Sequence, residues 1–328
     1  MLVAAYEQNG SARDVLRLRD LPDPHPGPGE VRVKLITSGI NPSDVKMRQG
    51  LPGAALAYPI IVPHSDGAGV IDQVGKGVPQ GRLGERVWTW NAGWGRPMGT
   101  AAQFVTLPEA QAVTLPDSTD FAAGACLGIP ALTAYHATAL GSGVRGRSVL
   151  IAGGAGAVGH YAIQFAKLLG ARQVLTTVSS AEKERLARAA GADDVVNYRS
   201  ENVPDRVATI TRNAGIDRIV EIDLYSNARL DFSIARAEGD IVVVGAGNSD
   251  VAIPVMEGLF KNLNMHFFAV YLLARADRER AETGLTAALK SGHLQHNIAA
   301  RFPLDRIVDA HELVESGSAM GNVVLDIG

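Results

Sequence analysis

The chain has 328 residues, of which 46% are hydrophobic and 20% charged, a balance typical of globular proteins and not of disordered or low-complexity ones. Single hydrophobic cores stop growing at about 250–300 residues, so we expect two domains. The 31 basic and 34 acidic residues leave a net charge of −3, which supplies no overall field for a polyanion. Nucleic acid is therefore not an expected partner.

Cysteine usage and the N-terminal segment favour the cytoplasm. The single Cys126 cannot form an intramolecular disulfide or a four-thiolate zinc lobe. Glu7 and Asn9 lie where a signal peptide needs its apolar core. The uncharged stretch 121–144 contains Pro130 and several glycines, which would interrupt a membrane-spanning helix. We predict a buried linker helix there and no membrane span.

The first 120 residues are rich in short β-like runs between Gly and Pro turns. Residues 31–36 alternate in polarity after a proline-rich turn, and residues 67–74 and 85–90 follow the same pattern. Such short strands joined by turns predict an antiparallel, barrel-like module.

From residue 147 onwards, apolar strands alternate with amphipathic helices. The predicted strands are 148–152, 173–178, 194–198, 217–222 and 241–244, and the predicted helices include 160–169, 181–190 and 202–213. Each parallel crossover needs a helix-sized connection, so this alternation predicts a doubly wound α/β domain with helices on both faces. The segment from residue 266 to the C-terminus is predicted to form a strand, a helix and a strand, and these elements could belong to the first module.

A glycine pattern, Gly154-x-Gly156-x-x-Gly159, lies between the first strand and the first helix of this series. In a dinucleotide-binding turn, Gly154 would permit the tight turn, Gly156 the close approach of a pyrophosphate, and Gly159 close helix packing. Ala157 and Val158 would begin the helix, whose unpaired N–H groups favour phosphate. The strand and helix context therefore predicts dinucleotide binding.

The end of the second strand of this series indicates which dinucleotide is bound. NAD-binding domains usually place a carboxylate there on the adenine-ribose hydroxyl, whereas this chain has Ser179, with Lys183 in the next turn. With Tyr198 after the following strand, these side chains could converge on a 2′-phosphate, which favours NADPH. Alternatively, Lys183 is a solvated helix residue and Tyr198 an edge aromatic. Arg185 and Arg199 are possible substitutes.

Further motifs point to a known family. They are Asn41-Pro42 with Asp44, Arg48 and Gly50, and the segments 63–70, 128–135 and 215–227. Together with the glycine turn, they resemble the NADPH:quinone oxidoreductases of the zeta-crystallin type, a zinc-independent branch of the medium-chain dehydrogenase/reductase superfamily. The resemblance implies a GroES-like β-barrel catalytic domain at residues 1–124 and 265–328, and a doubly wound Rossmann domain at 125–264. It also implies a homodimer or homotetramer.

The resemblance also implies roles for individual residues. Asn41 would donate a hydrogen bond where negative charge develops on the acceptor oxygen, with Asp44 positioning it. Asn-Pro is also a common turn former. The residues that the resemblance implies for cofactor binding are Thr133, Gly245, Val270 and Asn322. Two departures bear on substrate and cofactor: Lys46 stands where many relatives have tyrosine, and Asn322 where many have a basic residue.

The zinc-dependent branch resembles this chain as well, so the metal question depends on side chains. A catalytic zinc site needs three protein ligands drawn from Cys, His and carboxylate. Ser65 stands where the zinc enzymes have histidine, and His64 is one place away and fits a core position better. His293 and His296 are three apart but lack a third ligand nearby. We therefore predict no metal.

The function predicted from the sequence is NADPH-dependent hydride transfer to quinones or related α,β-unsaturated carbonyls, without zinc. Conjugation already spreads the developing charge, so a Lewis acid is less necessary. Two alternatives remain open: a zinc-type alcohol dehydrogenase-like oxidoreductase, and a non-catalytic protein of the zeta-crystallin type that binds NADPH or RNA.

Overall fold

A computed structural model describes residues 1–50 and 55–328. The strands in these residues are, in chain order, β1 (Leu2–Ala5), β2 (Arg17–Asp20), β3 (Glu30–Ile40), β4 (Asp66–Val74), β5 (Arg86–Thr89), β6 (Phe104–Pro108), β7 (Ala112–Thr114), β8 (Ser148–Ile151), β9 (Gln173–Val178), β10 (Asp194–Asn197), β11 (Ile216–Glu221), β12 (Ala235–Val243), β13 (Asn264–Phe267), β14 (Ile298–Pro303) and β15 (Asn322–Asp326). The α-helices are α1 (Ala12–Val15), α2 (Pro42–Gln49), α3 (Phe121–Gly124), α4 (Leu132–Ala139), α5 (Ala157–Leu168), α6 (Ala181–Ala189), α7 (Val203–Thr211), α8 (Leu224–Ile234), α9 (Val255–Lys261), α10 (Arg275–Lys290) and α11 (Ile307–Glu315).

The chain divides into two compact units. The first comprises Met1–Pro130 with Ala288–Gly328, and the second comprises Ala131–Ala287. These ranges differ from the predicted domains, most at the second boundary, which follows Ala287 and not residue 264. The difference arises because β13 pairs with β12 and so extends the sheet of the second unit. Only β14, α11 and β15 of the tail join the sheet and core of the first unit.

The first unit is built on a seven-stranded sheet in the order β14-β15-β3-β4-β5-β7, with β6 also paired to β3. All its pairs are antiparallel except β14 with β15. Strand β3 is the long central strand, and two register shifts against β4 bend it. Alternate residues such as Val31, Val33 and Leu35 are buried in the core. The predicted GroES-like module is thus confirmed as a mainly antiparallel sheet.

The second unit contains a six-stranded parallel sheet in the order β10-β9-β8-β11-β12-β13. Counted from β8, this is the 3-2-1-4-5-6 order of a doubly wound dinucleotide-binding fold. The central strands are buried on both faces, and Leu150, Ile219 and Ile241 are at most 2% exposed. The predicted Rossmann class is confirmed.

Most predicted elements of the second unit occur within a few residues of their predicted bounds, and two begin earlier. Helix α5 begins at Ala157, three residues before the predicted start, and β12 begins at Ala235, six before. The early start of α5 places the glycine turn directly at its N-terminus. Helix α5 ends before Gly170, whose φ of +85° suits the predicted C-cap glycine.

The predicted single linker helix over residues 121–144 is wrong. The segment forms α3, a π-helical stretch Leu127–Ala131 that contains Pro130, and then α4. Proline removes a backbone donor and clashes with the preceding turn, so the regular α-helical pattern is interrupted there. No helix among residues 1–50 and 55–328 is long and apolar enough to cross a membrane.

Candidate active site

The glycine turn of the second unit connects β8 to α5. Its left-handed residue is Gly153, with φ of +66°, so the tight turn predicted for Gly154 lies one residue earlier. Gly154 is instead required by close packing, since a Cβ there would overlap the Thr176 hydroxyl on β9. A Cβ on Gly159 would overlap the carbonyl of Gly153, which agrees with the predicted close helix packing.

Gly156 has different surroundings from the other two glycines. A Cβ on Gly156 would have one neighbour within 4 Å, the Gly153 carbonyl at 3.3 Å, so open space lies beyond it. Gly156 is the N-cap of α5 and no side chain caps the helix. The first N–H groups, including those of Ala157 and Val158, therefore have no partner within the helix. This open, positively polarised turn fits the pyrophosphate of a dinucleotide.

A polar cluster lies at the ends of β9 and β10, as the sequence predicts. Ser179 follows β9, and the Lys183 ammonium donates to its hydroxyl at 3.1 Å. Ser180 caps α6 by accepting from the backbone N–H of Lys183. The backbone of Tyr198 donates to Val178, which places Tyr198 at the end of the neighbouring strand with its side chain 54% exposed. Lys183 is half-buried, contacts a serine and has no ion pair within residues 1–50 and 55–328, and such a lysine fits a 2′-phosphate.

The remaining predicted cofactor residues are dispersed. Thr133 is buried on α4, and Val270 is buried in a short 3₁₀ turn at Val270–Leu272. Gly245 follows β12, where a Cβ would overlap the carbonyl of Ile222. Asn322 lies in the first unit, and its side-chain amide donates to the carbonyl of Asn297 at 3.0 Å. That hydrogen bond uses one of the two amide N–H groups of Asn322 within the protein, which leaves the other for a cofactor.

The two predicted catalytic residues meet at the start of α2. Asn41 is the N-cap, and its backbone N–H donates to Oδ2 of Asp44 at 2.8 Å. The side chain of Asn41 also faces Asp44 in the capping box at the start of α2. Its Nδ2 donates to Oδ2 of Asp66 at 2.9 Å. Asp44 is 1% exposed, and burial raises its pKa to about 7. Lys46 is exposed on the same helix.

Asp66 is a functional candidate that sequence reasoning missed. It is fully buried at the start of β4, and the same Oδ2 atom also accepts the backbone N–H of Ile129 at 3.0 Å. Gly128 lies so close that a Cβ there would overlap Oδ1 of Asp66. No local pattern in the sequence marks this contact, which arises because the antiparallel pairing of β3 with β4 sets Gly39, two residues before Asn41, opposite Asp66.

A chain of buried hydrogen bonds runs beside Asp66. Thr100 donates its hydroxyl to the Asp66 carbonyl at 2.6 Å, so Ser38 must donate its own hydroxyl to Thr100. Ser38 then accepts from Nδ1–H of His64 at 2.8 Å. Neutral His64 is left with an accepting Nε2, which receives Nε2–H of His311 at 2.8 Å.

Both imidazoles of this chain are neutral. Burial lowers the pKa of His64 well below its ordinary value, with a further contribution from His311. Burial and the charge of Arg48 lower the pKa of His311 to about 3. His311 Nδ1 has no hydrogen-bond partner in the described part of the chain. His64 is therefore a core histidine, as the sequence favours, and its left-handed backbone (φ +78°) is held by these contacts.

A cavity of about 300 Å³ opens within the first unit. Its lining includes Tyr6, Asp44, Met47, His64 and Arg96. Burial raises the pKa of Tyr6 to about 12, so the phenol stays neutral. The cavity lies directly beside the start of α2 and could accommodate a small organic acceptor.

Zinc requires a donor set that the described residues do not provide. No group of three or more His, Cys, Asp or Glu side chains among residues 1–50 and 55–328 could hold a metal ion. His64 and His311 have their facing nitrogens bonded to each other, which leaves no space for an ion between them. The donor chemistry does not fit the catalytic zinc of related dehydrogenases.

Two family models match the chain. The alcohol dehydrogenase GroES-like domain matches residues 27–117, and the zinc-binding dehydrogenase domain matches residues 157–287. The first range lies in the first unit and the second range in the second unit. The fold and the sequence families therefore agree.

Curated relatives match over nearly the full chain. A quinone oxidoreductase of Pseudomonas aeruginosa is 38% identical over 318 residues, 95% of each chain. The quinone oxidoreductase of Homo sapiens is 30% identical over 326 residues, 98% of this chain and 96% of that protein. A 2-haloacrylate reductase of a Burkholderia species is 29% identical over 313 residues, 92% of this chain and 91% of that protein.

Solved structures share the whole fold. A structure described as an NAD-dependent alcohol dehydrogenase matches with a TM-score of 0.92 and 30% identity over 100% of both chains. A mycobacterial protein complexed with NADPH matches with a TM-score of 0.88 and 27% identity, again over 100% of both chains. On the full-length identity to quinone oxidoreductases, the chain belongs to the quinone oxidoreductase family of the medium-chain dehydrogenase/reductase superfamily.

Proposed function

We propose that this protein is an NADPH-dependent reductase that delivers hydride to quinones or other α,β-unsaturated carbonyl compounds. The observation that carries the proposal is the pairing of an open glycine turn at α5 with the contact between Lys183 and Ser179, where an NAD-binding domain would have a carboxylate. The names of the quinone oxidoreductase and 2-haloacrylate reductase relatives support the acceptor class.

Bound NADPH would supply a hydride from its nicotinamide ring. The N–H groups at the start of α5 would hold the pyrophosphate, and Ser179 and Lys183, with Tyr198 beside them, the 2′-phosphate. Asn41 has a second amide N–H beyond the one given to Asp66, and this group would donate to the acceptor oxygen. Thr133, Gly245 and Val270 are the candidates for the nicotinamide half.

An NAD-dependent alcohol dehydrogenase is the second candidate because the structure described by that name has a TM-score of 0.92. The cluster at the end of β9 disfavours NAD, because neither Ser179 nor Lys183 can accept the two hydrogen bonds that a ribose diol donates to a carboxylate. Fluorescence titration with NADPH and NADH distinguishes the two.

The activity test follows cofactor oxidation at 340 nm with an ortho-quinone, a para-quinone, a simple enone and an aliphatic aldehyde. We expect turnover with NADPH and the conjugated acceptors. Turnover confined to alcohols with NAD, together with stoichiometric zinc in the purified protein, contradicts the proposal.

We further propose that the enzyme is a cytoplasmic homodimer joined through β13 and α9. Strand β13 is the edge of the six-stranded sheet, so its outer backbone groups have no sheet partner in the described chain. Phe267 on β13 and Phe260 on α9 are 68% and 83% exposed. An apolar edge of this kind is typical of an interface between copies.

Light scattering of the purified protein tests this assembly. We expect the mass of two chains, and loss of the dimer in the variants Phe267→Asp and Phe260→Asp. Leu83→Asp is the matched control, because Leu83 is an exposed apolar residue in the first unit. A monomeric wild type, or dimers that persist in both phenylalanine variants, contradicts the proposed interface. A mass of four chains would indicate a further interface.

A further inference from the structure

Arg96 lines the cavity of the first unit and is fixed on one side only. Its Nη2 donates to the carbonyl of Asn91 at 3.0 Å and to Oε1 of Gln111 at 2.6 Å. Both acceptors are neutral, and no acidic side chain among residues 1–50 and 55–328 lies in ion-pair contact with Arg96, although the charge of Glu30 acts on it from a greater distance. Residues 51–54 are Leu, Pro, Gly and Ala, so they add no carboxylate.

The guanidinium is therefore a partly buried cation without a contacting carboxylate, and the charge of Glu30 offsets only part of the effect of burial on its pKa. Burial lowers the pKa of Arg96 from its ordinary value, which reflects the cost of removing the charge from water. A guanidinium has five N–H donors, and Nη2 uses two of them. The two hydrogen bonds of Nη2 hold the plane of the group, while Nη1 remains available for a ligand.

The other ionisable groups on the cavity wall do not neutralise this charge. His64 is neutral because burial lowers its pKa, and Tyr6 is neutral because burial raises its pKa. Tyr58 donates its hydroxyl to the carbonyl of Gly95. Asp44 is the one acidic side chain of the lining, and its raised pKa of about 7 keeps much of it protonated at neutral pH. The wall carries a net positive charge below that pH.

We infer that the cavity selects acceptors that carry a carboxylate, which Arg96 would hold through Nη1 while the conjugated part of the molecule lies beyond it. This inference rests on the proposed function and names its substrate class. The carboxylate would serve only for binding and takes no part in the reaction. The hydride and a solvent proton add to the conjugated system, and the product keeps its carboxylate. A cavity of about 300 Å³ suits a small acid of this kind.

The test compares a 1,4-benzoquinone bearing a carboxyethyl chain with its methyl ester, at pH 6.5 and with saturating NADPH. The two acceptors share the same quinone, so the ratio of their kcat/KM values isolates the carboxylate. We expect the wild type to favour the acid at least tenfold, through a lower KM. Arg96→Met should lower this ratio tenfold or more. Arg96→Lys keeps the positive charge but lacks the planar arrangement of N–H donors, so it should give an intermediate ratio.

Arg13→Met is the matched control, since Arg13 is an exposed arginine of the same unit that pairs with Glu312. It should leave the ratio unchanged. A wild type that reduces the ester as well as the acid overturns the inference and leaves the proposed function standing, whether or not the Arg96 variants fold. Failure of both acceptors with NADPH and with NADH overturns the proposed function itself.

Discussion

The side-chain amide of Asn41 is oriented by Asp66, whose Oδ2 lies 2.9 Å from Nδ2 of Asn41. The same Oδ2 accepts from the backbone N–H of Ile129, so it acts as an acceptor and the nitrogen of the amide must face it. Asp44, three residues after Asn41 on α2, holds the backbone of Asn41 and also borders its side chain. The orientation of the proposed acceptor-binding amide therefore depends on a residue of a neighbouring strand.

Asp66→Ala should lower kcat with a quinone by roughly tenfold to a hundredfold, because it misplaces the donor, whereas loss of the donor itself would cost about a hundredfold to a thousandfold. Asp66→Asn should retain more activity, because its amide oxygen can accept the same two hydrogen bonds. The affinity for NADPH should stay close to wild type in both. Steady-state kinetics and a fluorescence titration measure these quantities.

A double-mutant cycle separates positioning from general destabilisation. If Asp66 acts through Asn41, then Asp66→Ala should have little further effect on kcat in an Asn41→Ala background. Equal losses in both backgrounds would show that Asp66 supports only the fold. Asp72→Asn is the matched control on the same strand, where Asp72 pairs with Arg32 near the surface.

Lys183→Ala should weaken NADPH binding by about tenfold and leave NADH binding within twofold, because a single charge-assisted hydrogen bond to phosphate contributes about 1.5–3 kcal/mol before solvent screening. Parallel fluorescence titrations give both dissociation constants. Lys167→Ala serves as the control, since Lys167 pairs with Asp193 on the same domain. Equal losses for both cofactors would contradict the 2′-phosphate assignment.

The dinucleotide turn and the Lys183 cluster could be predicted because their parts are neighbours in sequence. Lys183 lies four residues from Ser179, and one helical turn brings their side chains together. Gly153, however, takes the left-handed conformation of the tight turn that was predicted for Gly154, because either glycine can adopt it, while Gly154 packs against Thr176.

Contacts between distant segments could not be predicted in the same way. The bond between Asn41 and Asp66 depends on the register of β3 and β4, and a shift of one residue would turn Asp66 away. His64 and His311 are separated by 247 positions and meet only when the C-terminal segment returns to the first unit. No local periodicity encodes such a contact.

The pair of His64 and His311 predicts acid sensitivity. The pKa of each histidine is lower in the folded state than the ordinary value of 6.5, so the stability they contribute is present above pH 6.5 and lost as the pH falls towards 3. Each contributes a slope of up to about 1.4 kcal/mol per pH unit. Arg48, which pairs with Glu315, is the charged group that contributes to the lowered pKa of His311.

His311→Gln should therefore lose less stability than wild type between pH 6.5 and 4.5, because glutamine can donate to His64 without taking up a proton. Urea unfolding at several pH values gives the comparison. His25→Gln, at an exposed histidine, is expected to follow the wild-type profile. Parallel profiles for His311→Gln and wild type would refute the assignment of the acid sensitivity to this pair.

A buried pair of carboxyl groups in the second unit predicts the opposite pH dependence. Glu221 ends β11, and burial raises its pKa, but one of its oxygens accepts from the backbone of Asp223 and from Nδ2 of Asn227, which favours the ionised form. Asp231 on α8 hydrogen-bonds the same carboxylate, so it must carry the shared proton. Burial and the charge of Glu221 raise the pKa of Asp231 to about 9.

Because the folded-state pKa of Asp231 lies above its ordinary value of 3.8, its contribution to stability is complete below pH 3.8 and is lost as the pH rises towards 9. Asp231→Asn carries a permanent donor, so its stability relative to wild type should increase with pH by up to about 1.4 kcal/mol per unit. Urea unfolding between pH 6 and 9 measures this gain. Asp205→Asn, at an exposed carboxylate on α7, should show none. A gain that does not grow with pH would mean that Asp231 is already ionised in the folded protein.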